Sequence, residues 1–228
     1  GVSFQAKTTK TYTVTGTDAN GCVNTATSIV TVNDLPTVTA TANQTVCYDA
    51  SVTLAGSGAS TYTWDNGVTN GVSFQAKTTK TYTVTGTDAN GCVNTATSIV
   101  TVNALPTVTA TANQTVCYDA SVTLAGSGAS SYTWDNGVTN GVSFQAKTTK
   151  TYTVTGTDGN GCVNTATSIV TVNALPNVTA TANQTVCYDA SVTLSGSGAS
   201  SYTWDNGVTN GVSFQAKTTK TYTVTGTD

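Results

Sequence analysis

The six cysteines are the residues of this sequence best suited to covalent chemistry. They occur in two recurring contexts, Thr-Val-Cys-Tyr-Asp and Asn-Gly-Cys-Val-Asn, at Cys22, Cys47, Cys92, Cys117, Cys162 and Cys187. Such cysteines form disulfides in an oxidising compartment, bind zinc, or remain thiols in a reducing one. Structural zinc sites use four Cys or His ligands in close pairs, and this sequence has no histidine. Disulfides of a secreted protein are the favoured interpretation, with buried thiols as the alternative.

The acidic residues are all aspartates in turn-like segments, because the sequence contains no glutamate. Asp49, Asp65 and Asp158 are candidate calcium ligands, since calcium prefers several carboxylate oxygens. Asp-x-Asn-Gly is also common turn chemistry, and the turn interpretation is favoured, so no cofactor is expected. Without histidine there is no Ser-His or Cys-His pair, and scattered turn aspartates make no acid–base pair. We therefore expect that the chain is not an enzyme.

The charge content is low and excludes several classes of partner. Charged residues make up 8% of the chain, the net charge is -3, and lysine is the only basic residue. Nucleic acids bind mainly through clustered Lys and Arg, so neither a nucleic acid nor an anionic membrane surface is an expected partner. No apolar run approaches the ~18 residues of a membrane-spanning helix. With little charge repulsion and many outward threonines, lateral self-association is possible.

The sequence repeats every seventy residues, with the same block opening at Gly1, Gly71, Gly141 and Gly211. A period of this length corresponds to a whole small domain rather than to one rung of a solenoid. Pro36, Pro106 and Pro176 follow short linkers and suit the start of a domain. The predicted domains are residues 1–33 (the C-terminal part of a repeat), 36–103 and 106–173 (complete repeats), and 176–228 (an N-terminal part).

Apolar and polar residues alternate with period two through the repeat, which predicts β-strands. In the second complete repeat the predicted strands are 107–111 with 115–116, 121–124, 131–134, 142–145, 151–155 and 165–172. Turn residues separate them, including Gly126-Ser127-Gly128 and Asp158-Gly159-Asn160-Gly161. Short strands separated by such turns predict an all-β sandwich.

The inward positions of these strands predict the core. Trp134 on the third strand and Tyr152 on the sixth match the core tryptophan and the tyrosine corner of immunoglobulin domains. Val154 occupies the place of the second core cysteine, so aliphatic packing replaces the usual disulfide between sheets. The aromatic core residues predicted for the repeats are Trp64, Trp134, Trp204, Tyr82, Tyr152 and Tyr222, and the other predicted inward positions of the second repeat are Val122, Leu124, Tyr132, Val142, Phe144, Val170 and Val172.

Strand order predicts which cysteines pair. In an immunoglobulin-type sandwich, the turn that holds Cys47 and the turn that holds Cys92 lie at opposite ends of one domain, about a strand length apart. A disulfide requires Cα atoms within about 7 Å. We therefore expect a bond from Cys47 to Cys162 across the junction of consecutive domains. Bonds within domains, Cys47 with Cys92 and Cys117 with Cys162, remain the alternative.

The order of motifs is similar to that of a known family. Gln114-Thr115-Val116-Cys117, Ser131-Tyr132-Thr133-Trp134 and Asp158-Gly159-Asn160-Gly161-Cys162 resemble the Ig-like and PKD-like repeats of large Bacteroidota cell-surface proteins, gliding-motility adhesins among them. The resemblance implies tandem immunoglobulin-like (PKD-like) β-sandwich domains forming an extended rod. It also implies type IX secretion and display as a filament attached to the outer membrane.

The expected function is structural: a stiff stalk of a secreted adhesin that presents a tip and transmits force. Its expected partners are neighbouring repeats of the same chain and, through regions outside these residues, a substratum or polysaccharide. The alternative is an array in which each domain binds polysaccharide weakly and repetition adds avidity. Tyr118, in a turn, is the aromatic residue available for such binding.

Overall fold

A computed structural model describes residues 2–228 of the chain. These residues form β-strands, turns and bends, and no helix occurs among them. The chain divides into two compact units, residues 1–107 with 157–164 and residues 108–156 with 165–228.

The first partial repeat forms a two-stranded antiparallel hairpin of β1 (Lys10–Thr17) and β2 (Val23–Val30). Its polar and apolar side chains are nearly all exposed, including Val14 and Ile29. The hairpin therefore holds its shape through the backbone ladder rather than through a core.

The first complete repeat encloses one core between a four-stranded sheet and two short strand pairs. Its strands are β3 (Thr39–Ala40), β4 (Gln44–Cys47), β5 (Ala50–Thr53), β6 (Gly56–Ser57), β7 (Thr61–Trp64), β8 (Ser73–Ala76), β9 (Lys80–Thr87) and β10 (Val93–Asn103). The sheet order is β4–β10–β9–β7, in which only β4 and β10 run parallel. The strand pairs are β3 with β6 and β5 with β8. This arrangement is that of an immunoglobulin-like sandwich.

The second complete repeat has the same architecture because its sequence is nearly the same. Its strands are β11 (Thr109–Ala110), β12 (Gln114–Cys117), β13 (Ala120–Thr123), β14 (Gly126–Ser127), β15 (Ser131–Trp134), β16 (Ser143–Ala146), β17 (Lys150–Thr157) and β18 (Val163–Asn173). The large sheet has the order β12–β18–β17–β15, and the short pairs are β11 with β14 and β13 with β16.

The last partial repeat forms three strand pairs. Its strands are β19 (Thr179–Ala180), β20 (Ala190–Thr193), β21 (Gly196–Ser197), β22 (Ser201–Trp204), β23 (Ser213–Ala216) and β24 (Val224–Thr227). They pair as β19 with β21, β20 with β23 and β22 with β24.

Each complete repeat has a small core built by the alternation of its strands. In the second repeat the buried cluster joins Val122, Leu124, Trp134, Tyr152, Val154 and Val170 with Val108 and Ala146. Tyr132, Phe144 and Val172 pack against it and are half-buried. Fully burying a Val or Leu side chain stabilises a fold by about 1.5 to 3 kcal/mol, so a cluster of this size supports a sandwich.

Three sequence-based expectations fail in detail. Val142 is 54% exposed, because β16 begins only at Ser143 and the positive φ of Gly141 turns Val142 outward. Gly126–Ser127 is not a turn but strand β14, in which the absence of a side chain lets Tyr132 lie against the backbone. A Cβ at Gly126 would be 2.7 Å from Tyr132 Cδ1, so this position requires glycine.

The third difference concerns the tyrosine corner. The hydroxyl that bonds back to the backbone belongs to Tyr132, whose Oη donates to the Ala129 carbonyl and accepts from the Ala129 amide, both at 2.7 Å. Tyr152 lies in the core instead, with its ring 5.4 Å from that of Phe144. The sequence pattern could not separate the two tyrosines, since both lie on inward-facing strand positions.

Candidate functional site: the cysteine turns

The turn that holds Cys47 is tied to both layers of its sandwich. Cys47 ends β4, and the next amide, of Tyr48, donates to the Asn103 carbonyl on β10 at 2.8 Å. The Asp49 amide donates to the Ala76 carbonyl on β8, also at 2.8 Å. Asp49 adopts φ 65°, a left-handed conformation that Asp tolerates better than most residues. These bonds hold the cysteine at a defined place on the end of the domain.

The turn that holds Cys162 is organised by one carboxylate. Asp158 Oδ1 accepts from the amides of Asn160 at 2.8 Å and Cys162 at 2.9 Å. The Asp158 amide donates to the Cys162 carbonyl at 3.0 Å, which closes the β17–β18 hairpin. The same bonds recur around Cys92, with Asp88 in the role of Asp158. The aspartate of Asp-x-Asn-Gly is therefore a turn-forming group.

Cys47 and Cys162 form a disulfide, with Cα atoms 5.5 Å apart and a sequence separation of 115 residues. The Cys162 side chain is fully buried. The bond joins the β4–β5 turn of one repeat to the hairpin of the next, the pairing that strand order favours. Cys22, Cys92, Cys117 and Cys187 are free thiols.

The alternative pairings, Cys47 with Cys92 and Cys117 with Cys162, are wrong. The parallel ladder of β4 and β10 places Cys47 beside Asn103, at the far end of β10 from Cys92. Eleven residues of extended strand separate that point from Cys92, which is about 35 Å. A bond within the domain would need these atoms within about 7 Å.

The three calcium candidates each serve a local structural purpose. Asp49 lies 3.9 Å from the Lys77 ammonium in an exposed ion pair, which contributes at most about 1 kcal/mol. Asp65 Oδ1 accepts from the Thr83 amide at 3.0 Å and from Asn66 Nδ2 at 2.9 Å. Within residues 2–228, no three His, Cys, Asp or Glu residues are grouped so that they could hold a metal ion. The described residues therefore do not place Asp49, Asp65 and Asp158 in one group of calcium ligands: Asp65 and Asp158 accept from backbone amides in different turns, and Asp49 faces Lys77.

The aromatic core residues follow the prediction at five of six positions. Trp64, Trp134, Trp204, Tyr82 and Tyr152 are buried. Tyr222 is only half-buried, because among residues 2–228 no strand lies beside it as β10 and β18 lie beside its counterparts. Burial raises the pKa of Tyr152, and the negative charge of Asp135 raises it further.

Two asparagines are important here that the sequence alone did not single out. Asn140 Oδ1 accepts from the Trp134 indole at 2.9 Å and from the Gly126 amide at 2.7 Å. Asn164 Nδ2 donates to the Pro106 carbonyl at 3.0 Å and so ties the start of the repeat to β18. For Asn140 the sequence contained a signal, because an Asn lies six residues after the core Trp in every repeat that contains this Trp.

The outward face of the large sheet is rich in threonine. On neighbouring strands of the first complete repeat, Thr97 lies opposite Thr83, and Thr95 lies opposite Thr85. Tyr48 and Tyr118 are each 46% exposed beside their cysteines, so each offers part of an aromatic ring to solvent. No helix that could span a membrane occurs in residues 2–228.

No protein-family model matches this chain, and no curated protein matches its sequence. Among solved structures it is similar to the eight N-terminal Ig domains of the Down syndrome cell adhesion molecule (DSCAM), with 16% identity and a TM-score of 0.32. That match covers 89% of this chain and 38% of the DSCAM fragment. A Ca2+-stabilised adhesin with which an Antarctic bacterium binds ice matches with 19% identity and a TM-score of 0.33, over 92% of this chain and 70% of the adhesin fragment.

The four N-terminal Ig domains of Dscam1 isoform 6.9 match with 10% identity and a TM-score of 0.25, over 68% of this chain and 52% of theirs. The chain thus spans about two fifths to about two thirds of the fragments it matches. Its own strand order, paired sheets and enclosed cores make the chain an all-β array of tandem immunoglobulin-like sandwiches.

Proposed function

We propose that this chain is the structural repeat region of a secreted cell-surface adhesin, in which residues 36–103 and 106–173 are domains of a stiff, disulfide-crosslinked stalk. The observation that carries the proposal is the Cys47–Cys162 bond between consecutive repeats. Disulfides persist in oxidising, extracellular compartments. A bond between repeats also gives pulling force a covalent route besides the main chain, which suits a tether. The absence of His and Glu from the sequence favours a role without catalysis.

Single-molecule pulling on the two ends of the chain tests this role. While the disulfide is intact, the residues between Cys47 and Cys162 cannot extend, because force crosses the sulfur–sulfur bond. Reduction should release 115 residues, which adds about 400 Å of extension at 3.3–3.6 Å per residue. Cys47→Ser should behave like the reduced protein. Cys117→Ser, which removes a free thiol from the same turn of the next repeat, is the matched control and should leave the extension unchanged.

An unchanged extension after reduction would contradict a bond between repeats that transmits force. The stalk proposal would then lose its main support, and the repeats would have to be regarded as independent domains.

The finer proposal is that the stalk belongs to a gliding-motility adhesin similar to SprB, exported by type IX secretion and attached to the outer membrane as a filament. The order of the motifs from Gln114 to Cys162 supports it. Antibodies raised against the repeats should label intact cells and impair gliding. Labelling only after cell lysis would contradict this location.

A polysaccharide-binding array is the second candidate, and the half-exposed rings of Tyr48 and Tyr118 support it. Exposed aromatic rings beside polar groups suit the apolar faces of sugars. A titration of the chain with polysaccharide should show saturable binding that Tyr118→Ala weakens, whereas Tyr132→Phe, at a half-buried ring, should have no effect. If the chain does not bind polysaccharide, or binds it equally well after Tyr118→Ala, the structural stalk is the favoured function.

A further inference from the structure

The second complete repeat contains a small open cavity of about 170 Å³ beside the loop that joins β15 to β16. The apolar residues that line it are Val138, Val142, Phe144 and Tyr152. Two successive turns hold the loop in place. In these turns the Val138 amide donates to the Asp135 carbonyl at 3.3 Å, and the Val142 amide donates to the Thr139 carbonyl at 3.1 Å. The cavity is therefore a built feature of the folded domain.

One wall of the cavity is an apolar side chain that the core does not use. Val142 is 54% exposed, because the positive φ of Gly141 turns it away from the core. Val72 and Val212, at the same place in the other repeats, are also 54% exposed. A ligand that fills the cavity would remove this apolar surface from water, which is favourable.

The hydroxyl of Tyr152 opens into the same cavity. Tyr152 is only 6% exposed, and its Oη forms no hydrogen bond with any group of residues 2–228. Every buried side-chain oxygen or nitrogen in this part of the chain has a partner, so Oη is not sealed within the core. Because Tyr152 lines the cavity, its hydroxyl meets solvent there. A hydroxyl can both donate and accept, so a nearly buried side chain offers one free hydrogen-bonding group to a ligand.

Two further polar groups at the cavity are free to bind. Asn136 Nδ2 donates to Asp135 Oδ1 at 3.0 Å and to the Thr151 carbonyl at 3.4 Å, which orients the amide. Within residues 2–228, no group donates to Asn136 Oδ1, and Thr139 Oγ1 has no hydrogen-bond partner. The negative charge of Asp135 raises the pKa of Tyr152, and the same charge disfavours an anionic ligand.

The size and lining of the cavity restrict the class of ligand. Its volume of about 170 Å³ is below the ~300 to 1,000 Å³ of sites for drug-sized ligands. It therefore has room for a single ring rather than for a long chain. Apolar walls with a few free hydroxyl and amide groups suit a ring that has apolar C–H faces and hydroxyl substituents, which is the chemistry of a neutral sugar.

We propose that this cavity binds one neutral sugar unit of a polysaccharide, with a C–H face of the ring against Val142 and Phe144 and its hydroxyls bonded to Tyr152 Oη, Asn136 Oδ1 and Thr139 Oγ1. The proposal rests on the polysaccharide-binding candidate above and gives it a site other than Tyr118. The first complete repeat has the same residue types at Asn66, Val68, Thr69, Val72, Phe74 and Tyr82. One weak site in each repeat would add up to avidity for a long polysaccharide.

Titration of the 228-residue chain with dextran, mannan and galactan tests the site, and at least one of these neutral probes should bind saturably. Val72→Ser combined with Val142→Ser should weaken that binding by at least about fivefold, because both complete repeats lose an apolar contact. Val93→Ser combined with Val163→Ser is the matched control. These two valines are 52% and 51% exposed on β10 and β18, outside the cavity, so the affinity should not change.

Tyr82→Phe combined with Tyr152→Phe tests the hydroxyls, because it keeps both rings in the core. Binding should weaken by about threefold or more, while the unfolding midpoint at neutral pH stays close to that of the parent chain. Normal binding in both cavity variants, or an equal loss in the control pair, would overturn the proposal. If Tyr118→Ala abolishes binding and the cavity variants bind normally, the array candidate stands without this site. If no probe binds, the site and the array both fail, and the stalk proposal is unaffected.

Discussion

At the scale of single residues, a few polar groups decide whether the hydrogen-bond donors beside the small core have acceptors. The Trp134 indole and the Gly126 amide both depend on one acceptor, Asn140 Oδ1. An unpaired donor in a partly buried place costs roughly 1 to 3 kcal/mol. The asparagine therefore matters more than its polar, loop-like sequence context indicates.

Asn140→Ala should destabilise the second complete repeat by about 2 to 4 kcal/mol, because it removes the acceptor of two donors. Denaturant unfolding followed by tryptophan fluorescence measures the change. Asn140→Asp, which keeps an acceptor oxygen in the same place, should retain most of the stability. An equal loss of stability in Asn140→Ala and Asn140→Asp would contradict the role of Oδ1 as the shared acceptor.

Tyr152 should make stability fall at alkaline pH. Burial and the charge of Asp135 raise its pKa above the usual 10.0. The fold therefore disfavours the tyrosinate: the stabilising contribution is complete below pH 10.0, the unfolded value, and is lost as the pH rises through the higher pKa of the folded state. Ultraviolet absorbance of tyrosinate and unfolding midpoints measure both effects. Tyr152→Phe should flatten the decline, and a decline unchanged in this variant would assign it to other groups.

At the scale of elements, the two cysteine turns are preorganised by their own hydrogen bonds. The Cys47 turn bonds to β8 and β10, and the Cys162 turn closes on Asp158. Each half of the disulfide is thus held in place by groups that are present in every complete repeat. These local hydrogen bonds position the two cysteines, so the disulfide does not depend on a large core or on many charged groups.

Cys47→Ser should lower the free energy of unfolding by about 2 to 5 kcal/mol, since the bond closes a long loop in the unfolded chain. Urea unfolding in the absence of reductant measures the loss. Cys117→Ser, at the same turn position but without a partner in this structure, should change stability by less than about 0.5 kcal/mol. Similar losses in the two variants would show that the thiol itself, rather than the bond, stabilises the turn.

At the scale of the whole molecule, we expect a rod, because the linkers are short and contain proline. Small-angle scattering of the chain should give a maximum dimension close to the sum of the domain lengths. A compact shape or a broad distribution of shapes would contradict stiffness. Association that increases with concentration in sedimentation velocity would indicate lateral contact through the threonine-rich faces.

The repeat, the strands and the kind of sandwich were predictable from the sequence, because alternation of apolar side chains and turn residues are local properties. Trp134, Val154 and Val170 lie in the core as their alternation predicts. Strand β14 and its pairing with β11 were not predicted, since Gly126-Ser127-Gly128 has the composition of a turn and a two-residue strand leaves no periodic signal. Likewise, the alternation that places Phe144 inward would place Val142 inward too, and only the backbone at Gly141 turns it out.

What the tertiary structure decided is which groups meet. The sequence left two partners open for Cys47, and the parallel pairing of β4 with β10 separates Cys47 from Cys92 while Cys162 comes within bonding distance. Tyr222 has the same preceding sequence as Tyr152, but no strand among residues 2–228 covers it as β18 covers Tyr152, so its burial differs. Local sequence determines the strands, whereas burial and bonding depend on partners that are distant in the chain.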